Sequence, residues 1–182
     1  MKTFFSFIII SLFIHFQSNA QVYLTYNGQT SFFSETPIEN ISAENKSTTA
    51  TLNIATKEVV VKIKNDSFKF LNKLMEEHFN NSYMESGKYP VSTFTGKIIE
   101  NINLQKKGSY QVTIKGVLEM HGVKQPRIIK ALITNTDNFF SVVSNFSLKF
   151  EDFKIETPKL VYKKIAESII VKNSFVLTPK RL

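Results

Sequence analysis

Along most of this chain, polar and apolar residues alternate with a period of two, the spacing of a strand that buries one face and wets the other. Val59, Val61 and Ile63 fall on one side of such a run, and Val60, Lys62 and Lys64 on the other. A longer run sets Tyr110, Val112, Ile114, Gly116, Leu118 and Met120 against Gln111, Thr113, Lys115, Val117, Glu119 and His121. A third sets Phe140, Val142, Ser144, Phe146, Leu148 and Phe150 against Phe139, Ser141, Val143, Asn145, Ser147 and Lys149. Further strands fit Gln29–Ser34, Ala50–Ala55, Thr93–Ile99, Arg127–Thr134 and Ser168–Leu177. Turn residues separate these runs at Ala55–Glu58, Lys106–Ser109, His121–Pro126 and Asn135–Asn138,. About eight antiparallel strands predict an all-β domain, either a closed barrel or a sandwich. The six alternate positions from Tyr110 to Met120 favour a barrel with a tall interior, and a barrel of about eight strands can hold one small ligand.

Two segments break the alternation. In FLNKLMEEHFNNSY (Phe70–Tyr83), apolar residues recur at the helical spacing i, i+3, i+4, i+7,. Asn72 can cap the start of this short helix, and Gly87 and Pro90 close the segment. On this pattern Leu71, Leu74, Met75 and Phe79 face inward, Glu76 faces water, and the segment plugs one end of the barrel. The second break is Glu151–Ile165, where Pro158 forces an irregular crossing or a short helical turn,. The expected fold is therefore all-β with one or two short helices.

Composition changes this picture at the N-terminus first. MKTFFSFIIISLFIHFQSNA carries Lys2, an apolar run over Phe4–Phe16 and a small-x-small Ser18-Asn19-Ala20, the pattern of a secretory signal peptide cut after Ala20,. The run is shorter than the ~20 residues of a membrane span. Residues 21–182 then form a single domain, periplasmic or secreted. The absence of cysteine rules out disulfides, a thiol nucleophile and thiolate metal sites,. The net charge is +8, and the basic residues are spread along the chain. Scattered lysines on outer strand faces fit solvation and edge protection better than a nucleic-acid surface.

Candidate chemistry is sparse. His78 and His121 are the two histidines beyond the signal segment. Glu76, Glu77 and His78 are consecutive, so on a helix they point about 100° apart and cannot converge on one ion. No GxSxG is present, and the six glycines are not grouped into a phosphate loop,. The expectation is no catalytic site, no metal and no cofactor. An acid–base or metal role for His78 and His121 in an envelope stress protein is the alternative, and a solid-core structural barrel is another.

Several stretches carry a family resemblance. In order they are Phe68-Lys69-Phe70, Leu74–Phe79, Tyr83–Ser86, Lys88-Tyr89-Pro90, Phe94–Ile98, Gly116–Val123, Phe146-Ser147-Leu148 and Asp152–Ile155. Together they resemble the YceI-like family over most of the chain after the signal, with KYP and MHGV the most specific pair. The family's usual Trp-containing opening and SxVxF run are replaced by Val22-Tyr23-Leu24 and Thr30–Ser34. The resemblance implies an eight-stranded antiparallel lipocalin-like β-barrel with an apolar lumen, exported by a bacterium, that holds a polyisoprenoid or similar lipid. The expected partner is a long-chain apolar lipid, polyisoprenoid or quinone-like, with a homodimer as a candidate assembly. Strand parity and the helical stripe supply the lumen candidates: Phe68, Phe70, Leu74, Met75, His78, Phe79, Phe94, Ile98, Val112, Ile114, Leu118, Met120 and Phe146. Among these, His78 is placed to touch a ligand's polar end.

Overall fold

The computed structural model describes residues 22–35, 40–155 and 168–180. The signal-like segment and Pro158 lie outside them. Among the described residues nine strands run in chain order: β1 (Val22–Ser34), β2 (Ile41–Asn53), β3 (Glu58–Lys64), β4 (Lys69–Phe70), β5 (Val91–Ile98), β6 (Gly108–Met120), β7 (Val123–Asn135), β8 (Phe140–Lys149) and β9 (Ser168–Pro179). All pairings are antiparallel. Eight strands close a barrel in the order β1-β9-β8-β7-β6-β5-β3-β2, with β2 returning to β1, and the two-residue β4 is added along β2. Closure removes the free edges that so regular a sheet would otherwise expose.

Most expected strands are present and extend further than the alternation alone indicated. The His121–Pro126 loop is the exception. It shrinks to His121-Gly122, both in the left-handed region (φ 52° and 73°), the geometry of a two-residue hairpin turn,. Pro126 lies inside β7 opposite Val117. It costs no ladder bond on the other side, because β7 pairs with β8 only over Ala131–Asn135,. Where β7 parts from β8, the turn Glu151–Phe153 covers the gap. Gln125 Nε2 donates to the Asp152 carbonyl at 2.7 Å, Arg127 pairs with the Asp152 carboxylate, and Phe153 is fully buried beneath the Arg127 guanidinium.

The inward faces follow the predicted parity. Val59, Val61, Val112, Ile114, Leu118, Met120, Phe140, Val142 and Leu148 are all buried. Gly96 and Gly116 face each other across β5 and β6. A Cβ on Gly116 would stand 2.4 Å from the Thr95 carbonyl and 2.8 Å from the Phe94 ring. The missing side chains let Phe94 lie flat against the wall. Phe175 covers Gly28 in the same way, since a Cβ there would stand 2.5 Å from its ring.

The two ends differ. At one end short connections join β2 to β3 and β7 to β8. At the other, α1 (Lys73–His78) and a wider turn at Phe79–Tyr83 connect β4 to β5. Asn72 caps α1 by accepting from the Leu74 N–H, as expected.

The inward set of this segment differs from the helical stripe. Phe79 and Met84 are buried, but Leu71 is fully exposed and Leu74 is 57% exposed. The cause is strand parity. Phe70 pairs with Ala43 and points in, so Leu71 must point out, and α1 begins only at Lys73,. Glu76 does not face open water either. Its carboxylate accepts from the Phe70 N–H (3.2 Å) and pairs with Lys69 (2.9 Å) and Lys73 (3.4 Å).

Candidate functional site

The inner strand faces enclose a cavity of about 60 Å³ near mid-barrel, lined by nineteen residues from seven strands. Sixteen of those residues are apolar, and none is charged. Four of the expected lumen residues, Phe94, Ile114, Leu118 and Phe146, line it. Phe175, Val171 and Leu177 of β9 also line it and were missed, although Ser168–Leu177 alternates strictly and its inward set was readable by parity. A second cavity of about 60 Å³ lies at the α1 end, between Phe32, Phe150 and the expected residues Phe70, Met75, His78 and Phe79. Phe68, Ile98, Val112 and Met120 are buried in the same core without lining either cavity. Leu74 lies on the outside and lines neither.

Four phenylalanines close the α1 end. Phe32, Phe68, Phe70 and Phe79 form one cluster with ring centroids 5.2–5.7 Å apart. These distances suit edge-on and offset aromatic packing. His78 is exposed at the end of α1 and still reaches the second cavity. Glu76 is held by its lysine and backbone partners, of which the Lys69 hydrogen bond is the strongest, and these push its carboxyl down to about 2. A group so fully committed to local partners is a poor acid or base near neutral pH.

His121 sits elsewhere, in the β6–β7 turn. Its Nε2 lies 2.8 Å from a Glu85 carboxylate oxygen and its Nδ1 lies 3.3 Å from the Phe153 carbonyl. The Tyr89 ring packs on it at 4.4 Å. Next to it, Asn65 donates from Nδ2 to the Tyr89 carbonyl (2.6 Å), accepts from Ser92 Oγ (2.8 Å), and donates its backbone N–H to the Pro90 carbonyl (2.9 Å). KYP and MHGV are therefore two halves of one joint, with Tyr89 against His121. The joint ties the α1 segment, the β6–β7 turn and the Glu151–Phe153 turn together. Among the described residues, no three His, Asp or Glu side chains converge as metal ligands.

Sequence reasoning also missed a polar ladder inside the wall. Thr48 Oγ1 donates to Thr30 Oγ1 (2.9 Å), which donates to Asn173 Oδ1 (2.8 Å), and Asn173 Nδ2 donates to Ser144 Oγ (3.1 Å). All four residues are at least nine-tenths buried. The signal was available: Ser144 and Asn173 are polar residues on apolar alternating faces, the kind of exception that carries information.

The chain is similar to known proteins in sequence pattern and in fold. A YceI-like domain family model matches residues 14–177. Among solved structures, a polyisoprenoid-binding domain from Saccharophagus degradans superposes with a TM-score of 0.77 at 13% identity, covering 88% of this chain and 99% of that one. Burkholderia cenocepacia BcnA gives 0.70 at 14% identity over 83% and 96%. A Campylobacter jejuni YCEI protein gives 0.64 at 22% over 81% and 90%. No curated protein matches. At these identities the structural likenesses speak for the barrel, while the family match spans nearly the whole chain and includes both halves of the Tyr89–His121 joint: the chain belongs to the YceI-like family.

Proposed function

We propose that this protein is an exported, non-enzymatic lipid carrier that holds a long apolar chain, of polyisoprenoid type, between the inner faces of its barrel. The observation that carries the proposal is the lumen lining, a closed apolar surface with no charged side chain at mid-height. Such a surface gains about 25 cal/mol for each Å² of apolar ligand it takes from water, and it offers nothing to an ion. The Saccharophagus relative, described as a polyisoprenoid-binding domain, supports the same ligand class. Export rests on the signal-like N-terminus.

The cavity volume sets the condition. About 60 Å³ is far below the ~300 Å³ of ordinary ligand pockets,. A ligand has to displace side chains, and Phe94 and Phe175, the lining rings laid over glycines, are the fillers this reading expects to move. The same volume favours a second reading, a barrel whose solid core serves only structure. Mass spectrometry of lipids extracted from protein purified without detergent separates the two. The carrier yields one lipid class at near-stoichiometric amount; the solid barrel yields none, and shows no uptake from isoprenoid-loaded vesicles. An acid–base or metal role is tested by His78→Gln with His121→Gln: unchanged metal content and lipid occupancy dispose of it.

A further inference from the structure

The ladder Thr48–Thr30–Asn173–Ser144 runs from β2 across β1 and β9 to β8, about half the wall, and its hydrogen bonds all point the same way. Each hydroxyl or amide donates to the next group along. Ser144 Oγ is the last acceptor, and among the described residues its own proton has no acceptor. Asn173 spends one of its two Nδ2 protons on Ser144,. Of the four residues, only Ser144 and Asn173 line the mid-barrel cavity. The donors at the end of the ladder therefore lie where the apolar lumen is. A chain of aligned hydrogen bonds polarises its terminal donor, and a dry surrounding strengthens any bond that donor makes.

We infer that Ser144 and Asn173 form a mid-barrel subsite for an uncharged oxygen acceptor on the bound lipid, such as a ketone or quinone carbonyl. The inference rests on the carrier reading above and specifies its ligand. A carboxylate or phosphate does not fit this subsite, because no lining residue is charged and two neutral donors do not repay the desolvation of an anion,. A pure hydrocarbon fits the walls but leaves the terminal donors unpaired, which costs free energy in a buried site.

The test uses the full mature chain with two probes, farnesylacetone and the matched hydrocarbon in which the C=O is CH2. The expected result is that wild type binds the ketone about five- to tenfold more tightly, the net size of one or two neutral hydrogen bonds. Ser144→Ala, which leaves the Asn173 amide as the one remaining donor, is expected to cut that preference to about two- to threefold. A second readout needs no variant. With a 13C-labelled carbonyl, the infrared stretch of the bound ketone is expected below its position in hexane for wild type and closer to the hexane position for Ser144→Ala, where only Asn173 still donates. Equal affinities of wild type for the two probes, or a carbonyl band at the hexane position, overturn the subsite and leave the ladder as wall structure in a working carrier. If neither probe binds, the carrier reading fails and takes the subsite with it.

Discussion

The wall of the barrel and its α1 end are stabilised by different chemistry. The wall is built from alternating residues whose inward members are mostly apolar, with buried polar exceptions such as Thr30, Thr48, Ser144 and Asn173, and each strand needs only its two neighbours to place them,. The α1 end is held by single polar residues making several bonds each: Asn65 with Tyr89, Pro90 and Ser92, and His121 with Glu85 and Phe153. A wall can lose one contact and keep its register. A joint that loses one residue leaves several buried groups unpaired at once.

The wall should fail most severely where its backbones touch. Gly116→Val places a side chain within 2.4 Å of the Thr95 carbonyl and 2.6 Å of the Gly96 Cα, neither of which can step aside. The expected loss is about 4 kcal/mol or more, seen as a collapse of the urea midpoint or as insoluble protein. At the α1 end, Phe79→Ala removes the ring that touches Phe32, Phe68 and Phe70. It is expected to cost about 3 kcal/mol and to enlarge the end cavity. Asn65→Ala is expected to cost about 2 kcal/mol by leaving the Tyr89 carbonyl and Ser92 hydroxyl unpaired,. Amide exchange should quicken over residues 65–90 before it does in β6 or β7. Equal loss of protection everywhere would mean that end and wall unfold as one unit. Leu71→Ser tests the inward set itself and should change stability by less than about 0.5 kcal/mol, because Leu71 is fully exposed,.

The contrast also explains what could be read in advance. Period-two alternation is local, so Val112, Ile114, Leu118 and Met120 announce their face with no knowledge of their partners. Strand ends were underestimated because polar runs such as Ile41–Thr49 become strand only through pairing with β1. Around Leu71 and Leu74 the sequence offers two competing periods. Helical spacing points both inward, yet the brief pairing of Phe70 with Ala43 decides the outcome. The Tyr89–His121 contact spans more than thirty residues, so only family resemblance could mark both of its halves, and no local signal says that they meet. Ser144 and Asn173 were visible as polar exceptions, but their connection through Thr30 depends on the barrel closing.

The smallest effect concerns the clasp that replaced the expected exposed glutamate. Lys69, the Phe70 N–H and Lys73 hold the Glu76 carboxyl at about 2 rather than near its ordinary 4.5. Because the folded value is depressed, the clasp contributes fully above about pH 4.5, and its contribution is lost as the pH falls toward 2. Glu76→Gln keeps an acceptor for the Phe70 N–H but loses both ion pairs. The variant should therefore melt slightly below wild type at pH 6, with the gap narrowing steadily below pH 4.5 and closing near pH 2. Other carboxylates titrate in both proteins alike, so the difference between the two melting curves isolates this one. A gap that stays constant from pH 6 to pH 2 would show that charge at Glu76 does not hold α1 against the wall, leaving the Asn72 cap and Phe79 to hold that end alone.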